Sequence, residues 1–194
     1  MKSLLALFLG TTLIAFAPTP TPPCPAPQGP AATMPHEPKI TPFLWFDQNA
    51  EAAIRFYQGI FPQVRVLAEH RWREGGLGPK GTLMTATFEL GGREFVAMNG
   101  GPLYHFNESF SLLVHCATQA EVDTYWQKLT ADGGKPGQCD WLKDKFNMSW
   151  QVVPTALLEM LQDPDAAKAS RVAQAMRKMT KLDIATLQQA HAGR

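Results

Sequence analysis

The chain has 194 residues, 45% of them hydrophobic and 18% charged, with 18 basic and 17 acidic side chains. This length and composition are typical of one globular domain, or of two small fused modules, with a sizeable apolar core. A formal net charge of +1 argues against a dedicated nucleic-acid binder, which usually carries a basic stripe. Three cysteines are too few to frame a disulfide-rich mini-protein, and their spacing is not that of a zinc finger.

The N-terminus has the order of a secretory leader. Lys2 is followed by an apolar run over residues 4–17, which ends in the small residue Ala17. The run is shorter than the ~20 residues of a membrane-spanning helix. We therefore predict a signal peptide over residues 1–17 and no stable membrane span.

A proline-rich linker is predicted over residues 18–37, because prolines favour an extended, unpacked chain. With a functional leader the protein is exported, either periplasmic or secreted. The alternative is a translation start at Met34, which leaves the protein in the cytoplasm.

The first folded unit begins with a predicted strand over residues 40–46. A helix follows, with Asp47 or Asn49 as its candidate N-cap and Pro62 at its end. Three strands complete the unit, and a glycine-rich loop separates the first of them from the other two. These strands are predicted over residues 64–72, 82–90 and 94–99, and the loop over 75–81.

The same order begins again 69 residues later. Residues 110–116 predict a strand, and Thr118 with Glu121 forms a capping box for the next helix. Further strands are predicted over residues 138–142 and 149–154. A strand–helix unit repeated at a fixed offset predicts an α+β fold of two βαβββ modules, which we assign to residues 38–162.

A helical tail is predicted for residues 163–194. Asp163 and Pro164 favour a helix start, and Asp183 is the predicted cap of a last short helix. The tail has too little apolar surface to be stable alone, so we expect it to pack on the core or on a partner chain.

Five segments resemble one known family, at residues 40–47, 97–102, 137–144, 149–154 and 163–184. They are similar to the PhnB-like family, also labelled 3-demethylubiquinone 3-methyltransferase-like. This family belongs to the vicinal oxygen chelate superfamily of glyoxalases, bleomycin-resistance proteins and dioxygenases. The resemblance implies paired βαβββ modules whose sheets curl around a ligand cavity, usually in a homodimer.

The resemblance also implies a possible metal centre, because enzymes of this superfamily bind a divalent cation in the cavity through His, Glu or Gln. The cation polarises two adjacent substrate oxygens. The superfamily also contains non-catalytic drug-binding proteins, so the resemblance specifies the fold more closely than the reaction.

The strands of this chain offer a poor set of metal ligands. The superfamily's ligand position in the first strand falls near Thr41, and the hairpin strand offers only Glu94. The second module offers His115, and Gln151 stands where the metalloenzymes usually carry Glu. Hard divalent cations require several carboxylate or imidazole donors. We therefore predict no catalytic metal and no cofactor.

The predicted function is to bind a small organic molecule in a β-lined cavity. The candidate ligand-binding residues are Thr41, Trp45, Asn99, Ser111 and Gln151. Strand register decides these assignments, since a shift of one residue turns a side chain to the other face of its sheet. The sequence specifies no catalytic residue and leaves open whether the protein is an enzyme.

Two other functions compete with this hypothesis. The first is a metal-dependent glyoxalase-type lyase or isomerase, or a dioxygenase, that recruits a weakly bound metal through Glu94 and His115. The second is an exported interaction module held on its proline-rich linker. Methyl transfer is not expected, because no glycine-rich loop joins a strand to a helix to hold an adenosyl cofactor.

The two cysteines of the predicted domain, Cys116 and Cys139, are candidates for a disulfide if the protein is exported. The sequence does not place them within the required distance.

Overall fold

The computed structural model describes residues 40–194, so the predicted signal peptide and linker lie outside the described residues. Two βαβββ modules are followed by three helices. The first module consists of β1 (Phe43–Phe46), α1 (Ala50–Ile60), β2 (Arg65–Arg71), β3 (Leu83–Leu90) and β4 (Arg93–Asn99). The second consists of β5 (Ser111–Cys116), α2 (Gln119–Leu129), β6 (Lys135–Pro136), β7 (Trp141–Lys143) and β8 (Ser149–Pro154). The C-terminal helices are α3 (Thr155–Leu161), α4 (Ala166–Met176) and α5 (Ile184–Ala192).

The predicted duplication is confirmed, because each module folds into a four-stranded mixed sheet with the same connectivity. The strand order is β1-β4-β3-β2 in the first sheet and β5-β8-β7-β6 in the second. In both sheets the first strand pairs in parallel with the fourth, and the other neighbours are antiparallel. The α+β fold with a helical tail is therefore the fold that the sequence predicts.

Each sheet has one face covered by helices and one face that we call the open face. In β1, Leu44 and Phe46 are buried against the helix layer. Phe43 and Trp45 alternate with them on the open face, where Phe43 is 56% exposed. In β8, the buried Trp150 points to the helix layer and Gln151 lies on the open face.

The helix-covered faces of the two sheets share one apolar core. Phe61, directly after α1, stacks on Tyr125 of α2 and on Trp150 of β8, with ring centroids 5.2 and 5.4 Å apart. Tyr57 of α1 meets the Trp150 ring edge-on at 5.4 Å. Because α1 contacts the covered faces of both sheets, the two open faces are turned outward from this core.

A buried carboxylate connects the two modules. Asp144 Oδ2 accepts hydrogen bonds from the Tyr57 hydroxyl and from Trp150 Nε1, each at 2.9 Å. Its Oδ1 accepts from the backbone N–H groups of Phe146 and Met148 at 2.9 and 3.1 Å. Burial raises the pKa of Asp144 above its ordinary value, although these four hydrogen bonds act in the opposite direction.

The C-terminal helices pack on the core of the same chain and form a second, smaller apolar cluster. Its buried members are Val153, Leu157, Val172, Leu182 and Leu187. Since Val153 lies on the same face of β8 as Gln151, the tail covers one end of the open face of the second sheet.

Hydrogen bonds attach this tail at two places. The Gln119 side chain of α2 donates to the Leu182 carbonyl at 3.1 Å and accepts from the Ile184 N–H at 2.9 Å. The N–H groups of residues 139 and 140, between β6 and β7, donate to the carbonyls of Met179 and Thr180, each at 2.9 Å.

Two capping predictions are confirmed. The Thr118 hydroxyl accepts from the Glu121 N–H at 3.2 Å at the start of α2. The Asp183 carboxylate accepts from the Thr186 N–H at 2.7 Å at the start of α5. These local signals were sufficient because each cap lies within four residues of its donor.

Other local predictions are wrong. The strand predicted over residues 138–142 is instead a turn followed by β7, because Cys139 and Asp140 have φ values of 54° and 68°. The N-cap of α4 is Asp165 rather than Asp163. Helix α3 was not predicted.

None of the helices within residues 40–194 is long and apolar enough to cross a membrane.

We expect Asp144→Asn to lower the free energy of unfolding by about 3 kcal/mol. An amide at this position presents N–H donors to groups that are themselves donors. Tyr57→Phe is the matched control, since it removes one hydrogen bond without reversing any, and should cost only about 1 kcal/mol. Urea denaturation of both variants measures the difference, and equal stability of the two variants would contradict this role for Asp144.

Candidate functional site

The open face of the first sheet presents a row of side chains across its four strands. Cross-strand pairing aligns Trp45 with Met98, Met98 with Thr85, and Thr85 with His70. Side chains paired in this way lie on the same face of a sheet. The row thus combines an indole, a thioether, a hydroxyl and an imidazole.

Trp45 is fixed in this row by the loop that follows β4. Its indole Nε1 donates to the Gly101 carbonyl at 2.9 Å, and the Tyr104 ring meets it edge-on at 4.9 Å. A Cβ at position 100 would collide with the indole, so the close approach requires Gly100. Trp45 therefore offers a ring surface to a ligand, while its N–H is already bonded.

A cavity of about 260 Å³ lies beside Trp45 at the edge of the first sheet. Aromatic side chains dominate its lining, and they are Phe43, Trp45, Tyr104, Phe106 and Phe110. A lining of this composition is suited to a flat or apolar molecule.

The open face of the second sheet is more polar. Gln151 Nε2 donates to the Ser111 hydroxyl at 2.8 Å, so these two predicted residues are brought together. Trp141 of β7 is the cross-strand partner of Gln151. Lys143 is the cross-strand partner of Ser149, which in turn pairs with Ser111.

A second cavity, of about 530 Å³, lies on this face. Its wall includes Trp141, Lys143 and Ser149, together with Glu108 and Gln138. None of these residues is among the predicted ligand-binding residues. Alternation along β7 would have placed Trp141 and Lys143 on one face, but the predicted strand ended before Lys143.

The five predicted ligand-binding residues do not converge within one chain. Trp45 lies on the open face of the first sheet, and Thr41 is a half-buried residue just before β1. Ser111 and Gln151 lie on the open face of the second sheet. Neither of the two cavities described above is lined by the open faces of both sheets.

Asn99 differs from the other four predicted residues. Alternation along β4 places it on the helix-covered face of the first sheet, as it does Ala97. Its Oδ1 accepts from the Ala50 N–H at 2.9 Å, and its Nδ2 donates to the Leu83 carbonyl at 3.0 Å. Asn99 therefore caps α1 from a neighbouring strand. Of the two predicted caps, Asn49 occupies the N-cap position of α1, but its side chain makes no capping hydrogen bond.

Two buried groups have strongly shifted pKa values. Burial raises the pKa of Asp140 to about 7. Burial, with a smaller contribution from the charge of Glu121, raises the pKa of Cys116 to about 11. A buried thiol with this pKa is a poor nucleophile at neutral pH. Cys116 and Cys139 are both free thiols in the structure.

The residues of the described chain do not fit the divalent metal that the superfamily implies. From Ile40 to Arg194, no three or more His, Cys, Asp or Glu side chains are grouped so that they would hold a metal ion. On the open faces, neutral side chains such as Trp45, Met98, Ser111 and Gln151 occupy central positions. Such neutral groups do not form the donor set that a hard divalent cation requires.

The paired βαβββ modules with open sheet faces define a protein of the vicinal oxygen chelate fold. The chain belongs to the 3-demethylubiquinone-9 3-methyltransferase family, whose model matches residues 38–153. The PhnB-like membership predicted from the sequence is thereby confirmed. Helices α3 to α5 follow the matched residues.

Similar solved structures support this assignment. A PhnB protein from Bacillus cereus is 35% identical over 61% of this chain and 100% of that chain, with a TM-score of 0.56. Protein PA1353 from Pseudomonas aeruginosa is 17% identical over 61% of this chain and 98% of that chain, with a TM-score of 0.50, and supports the fold alone.

A weaker likeness links the chain to the fosfomycin resistance protein FosX from Listeria monocytogenes, whose structure contains Mn(II) and sulfate. It is 17% identical over 66% of this chain and 98% of that chain, with a TM-score of 0.45. No curated protein matches the chain.

We expect Asn99→Ala to lower stability by about 1–2 kcal/mol, because it leaves the Ala50 N–H without its capping acceptor. Asn49→Ala is the matched control at the same helix end and should change stability by less than about 0.5 kcal/mol. Thermal unfolding of the two variants tests the assignment, and a larger loss in Asn49→Ala would refute it.

We expect Asp140 to lower the stability of the protein progressively as pH rises from 3.8 to about 7. Its pKa is raised from 3.8 to about 7, so the folded protein retains a proton that the unfolded chain loses at lower pH. The stabilisation is complete below pH 3.8 and is lost as pH passes the folded-state pKa. Asp140→Asn, which tolerates the positive φ, should be more stable than the parent by up to about 4 kcal/mol at pH 8.

Urea denaturation between pH 4.5 and 8 measures this effect. The exposed Asp132, which also has a positive φ, provides the control substitution Asp132→Asn. A gap between Asp140→Asn and the parent that stays constant with pH would show that Asp140 does not control the dependence.

Proposed function

We propose that this protein binds a small organic molecule against the open faces of its two sheets, without a resident catalytic metal or other cofactor. The observation that carries the proposal is the pair of open faces, each bordered by a cavity, the first lined mainly by aromatic side chains and the second by Trp141 with polar and charged side chains. Trp45, Ser111 and Gln151, with Thr41 beside β1, remain the proposed ligand-binding residues. Asn99 supports α1 instead.

We also propose that two copies of the chain pair, so that the first sheet of one copy faces the second sheet of the other. Large apolar side chains stand exposed along both open faces, including Phe43 at 56% and Leu113 at 42%. Covering them by a second copy would remove this apolar surface from water. The paired arrangement would enclose one cavity between Trp45 and Gln151.

The pairing is tested by light scattering on the full chain and on Leu113→Glu, which places a charge on the open face of β5. We expect a dimer for the parent and a monomer for Leu113→Glu. Leu77→Glu is the matched control, since Leu77 is 97% exposed in the glycine-rich loop, and it should remain dimeric. A monomeric parent would reject the pairing.

Binding is tested by ligand-observed NMR with a set of flat aromatic compounds. We expect compounds that bind the parent to bind Trp45→Ala and Gln151→Ala at least tenfold more weakly. Trp72→Ala serves as the control, because the Trp72 indole packs on Gly76 and Gly78 within its own loop. Unchanged binding in both site variants would reject the site.

The competing function is a metal-dependent lyase, isomerase or dioxygenase. Its candidate ligands, Glu94 and His115, lie on the open faces of the first and second sheets, where Glu94 pairs with Glu89 and His115 pairs with Val153. One bound Mn, Fe, Ni or Zn per chain in protein purified without added metal would favour this enzyme over a non-metal binding protein.

We propose that residues 1–17 direct export and that residues 18–37 serve as a linker ahead of the folded domain. The intact mass of protein produced from the full-length gene tests this. A chain beginning near Pro18 supports export, and a chain beginning at Met34 supports a cytoplasmic protein.

A further inference from the structure

The cavity on the second sheet contains an ion pair that indicates the chemistry of its ligand. Lys143 Nζ lies 2.7 Å from Glu108 Oε1. The Lys143 side chain is 24% exposed and comes from β7, whereas the Glu108 side chain is 65% exposed and comes from the loop before β5. A half-buried ammonium on a strand is thus matched by a carboxylate from an exposed loop.

The loop that carries Glu108 is held by its neighbour. Asn107 Oδ1 accepts from the Ser109 N–H at 3.0 Å, and the Ser149 hydroxyl donates to the Asn107 carbonyl at 3.5 Å. This places the Glu108 carboxylate at the rim of the cavity. Lys143 lowers the pKa of Glu108, so the partner of Lys143 is an ionised carboxylate.

The remaining walls supply a surface for a flat molecule. Trp141 lies on the same strand as Lys143, two residues away and on the same face. Gln151, the cross-strand neighbour of Trp141, is not part of the cavity wall, and its Nε2 is bonded to Ser111. Lys135 of β6 is the cross-strand partner of Lys143, so a second ammonium group borders the same end of the cavity.

We propose that this cavity binds a small, flat molecule with a carboxylate group, which replaces Glu108 as the partner of Lys143 while its ring packs on Trp141. The inference rests on the proposed function and specifies the ligand class of the second sheet. A carboxylate bonded to a half-buried ammonium is held by a charge-assisted hydrogen bond. The Glu108 side chain competes with the ligand for that bond.

The probe for this proposal is 2-naphthoate, with the uncharged 2-naphthamide as its comparison, in calorimetric titration of the full chain. We expect 2-naphthoate to bind at least tenfold more tightly than 2-naphthamide. Lys143→Met should remove this preference. Lys145→Met is the matched control, because Lys145 pairs with Asp132 and lies over the Phe56 ring, outside this cavity.

Glu108→Gln provides a test that does not disturb a buried residue. It removes the competing carboxylate, so we expect it to tighten 2-naphthoate binding severalfold and to leave 2-naphthamide binding unchanged. Equal binding of the two probes, no binding of either, or no gain in Glu108→Gln would overturn the carboxylate assignment. A different result separates the two proposals. If the parent binds both probes equally and Trp45→Ala and Gln151→Ala bind neither, the carboxylate ligand class is rejected but the proposed function is supported.

Discussion

The arrangement of the two modules depends on one buried carboxylate. Asp144 binds Tyr57 from the first module and Trp150 from the second, so the helix-covered faces of both sheets are held in a common core. A buried carboxylate is costly unless its oxygens are satisfied, and four donors satisfy this one. The outward direction of the open faces follows from this central contact.

Outward open faces change what a single chain is able to do. Within one chain, the indole of Trp45 and the amide of Gln151 belong to separate surfaces, one largely aromatic and the other basic and polar. A ligand that required both would need two copies. The proposed carboxylate cavity, in contrast, is formed by one chain, so ligand class and pairing are separable properties of the protein.

The sequence predicted much of the fold, because the signals for it are local. The first and last residues of α2 each lie 69 positions after those of α1, as the predicted offset requires. The strand predicted over residues 149–154 has the observed bounds of β8. The site was harder to predict. A shift of one residue along β4 would move Asn99 from the helix-covered face to the open face. The hydrogen bond by which Asn99 caps α1 at Ala50 joins residues 49 positions apart. The positive φ values of Cys139 and Asp140 belong to non-glycine residues, and no sequence signal marked them.

The contact between Trp45 and Gly100 has a consequence for sequence variation. The indole occupies the space that a β-carbon at position 100 would need, and the N–H of that indole is bonded to the next carbonyl along the loop. A substitution at position 45 or position 100 alone would therefore disrupt the aromatic wall of the first cavity. In related chains, an alanine or larger residue at the position of Gly100 should therefore be accompanied by a smaller residue at the position of Trp45, and with it by a different ligand preference.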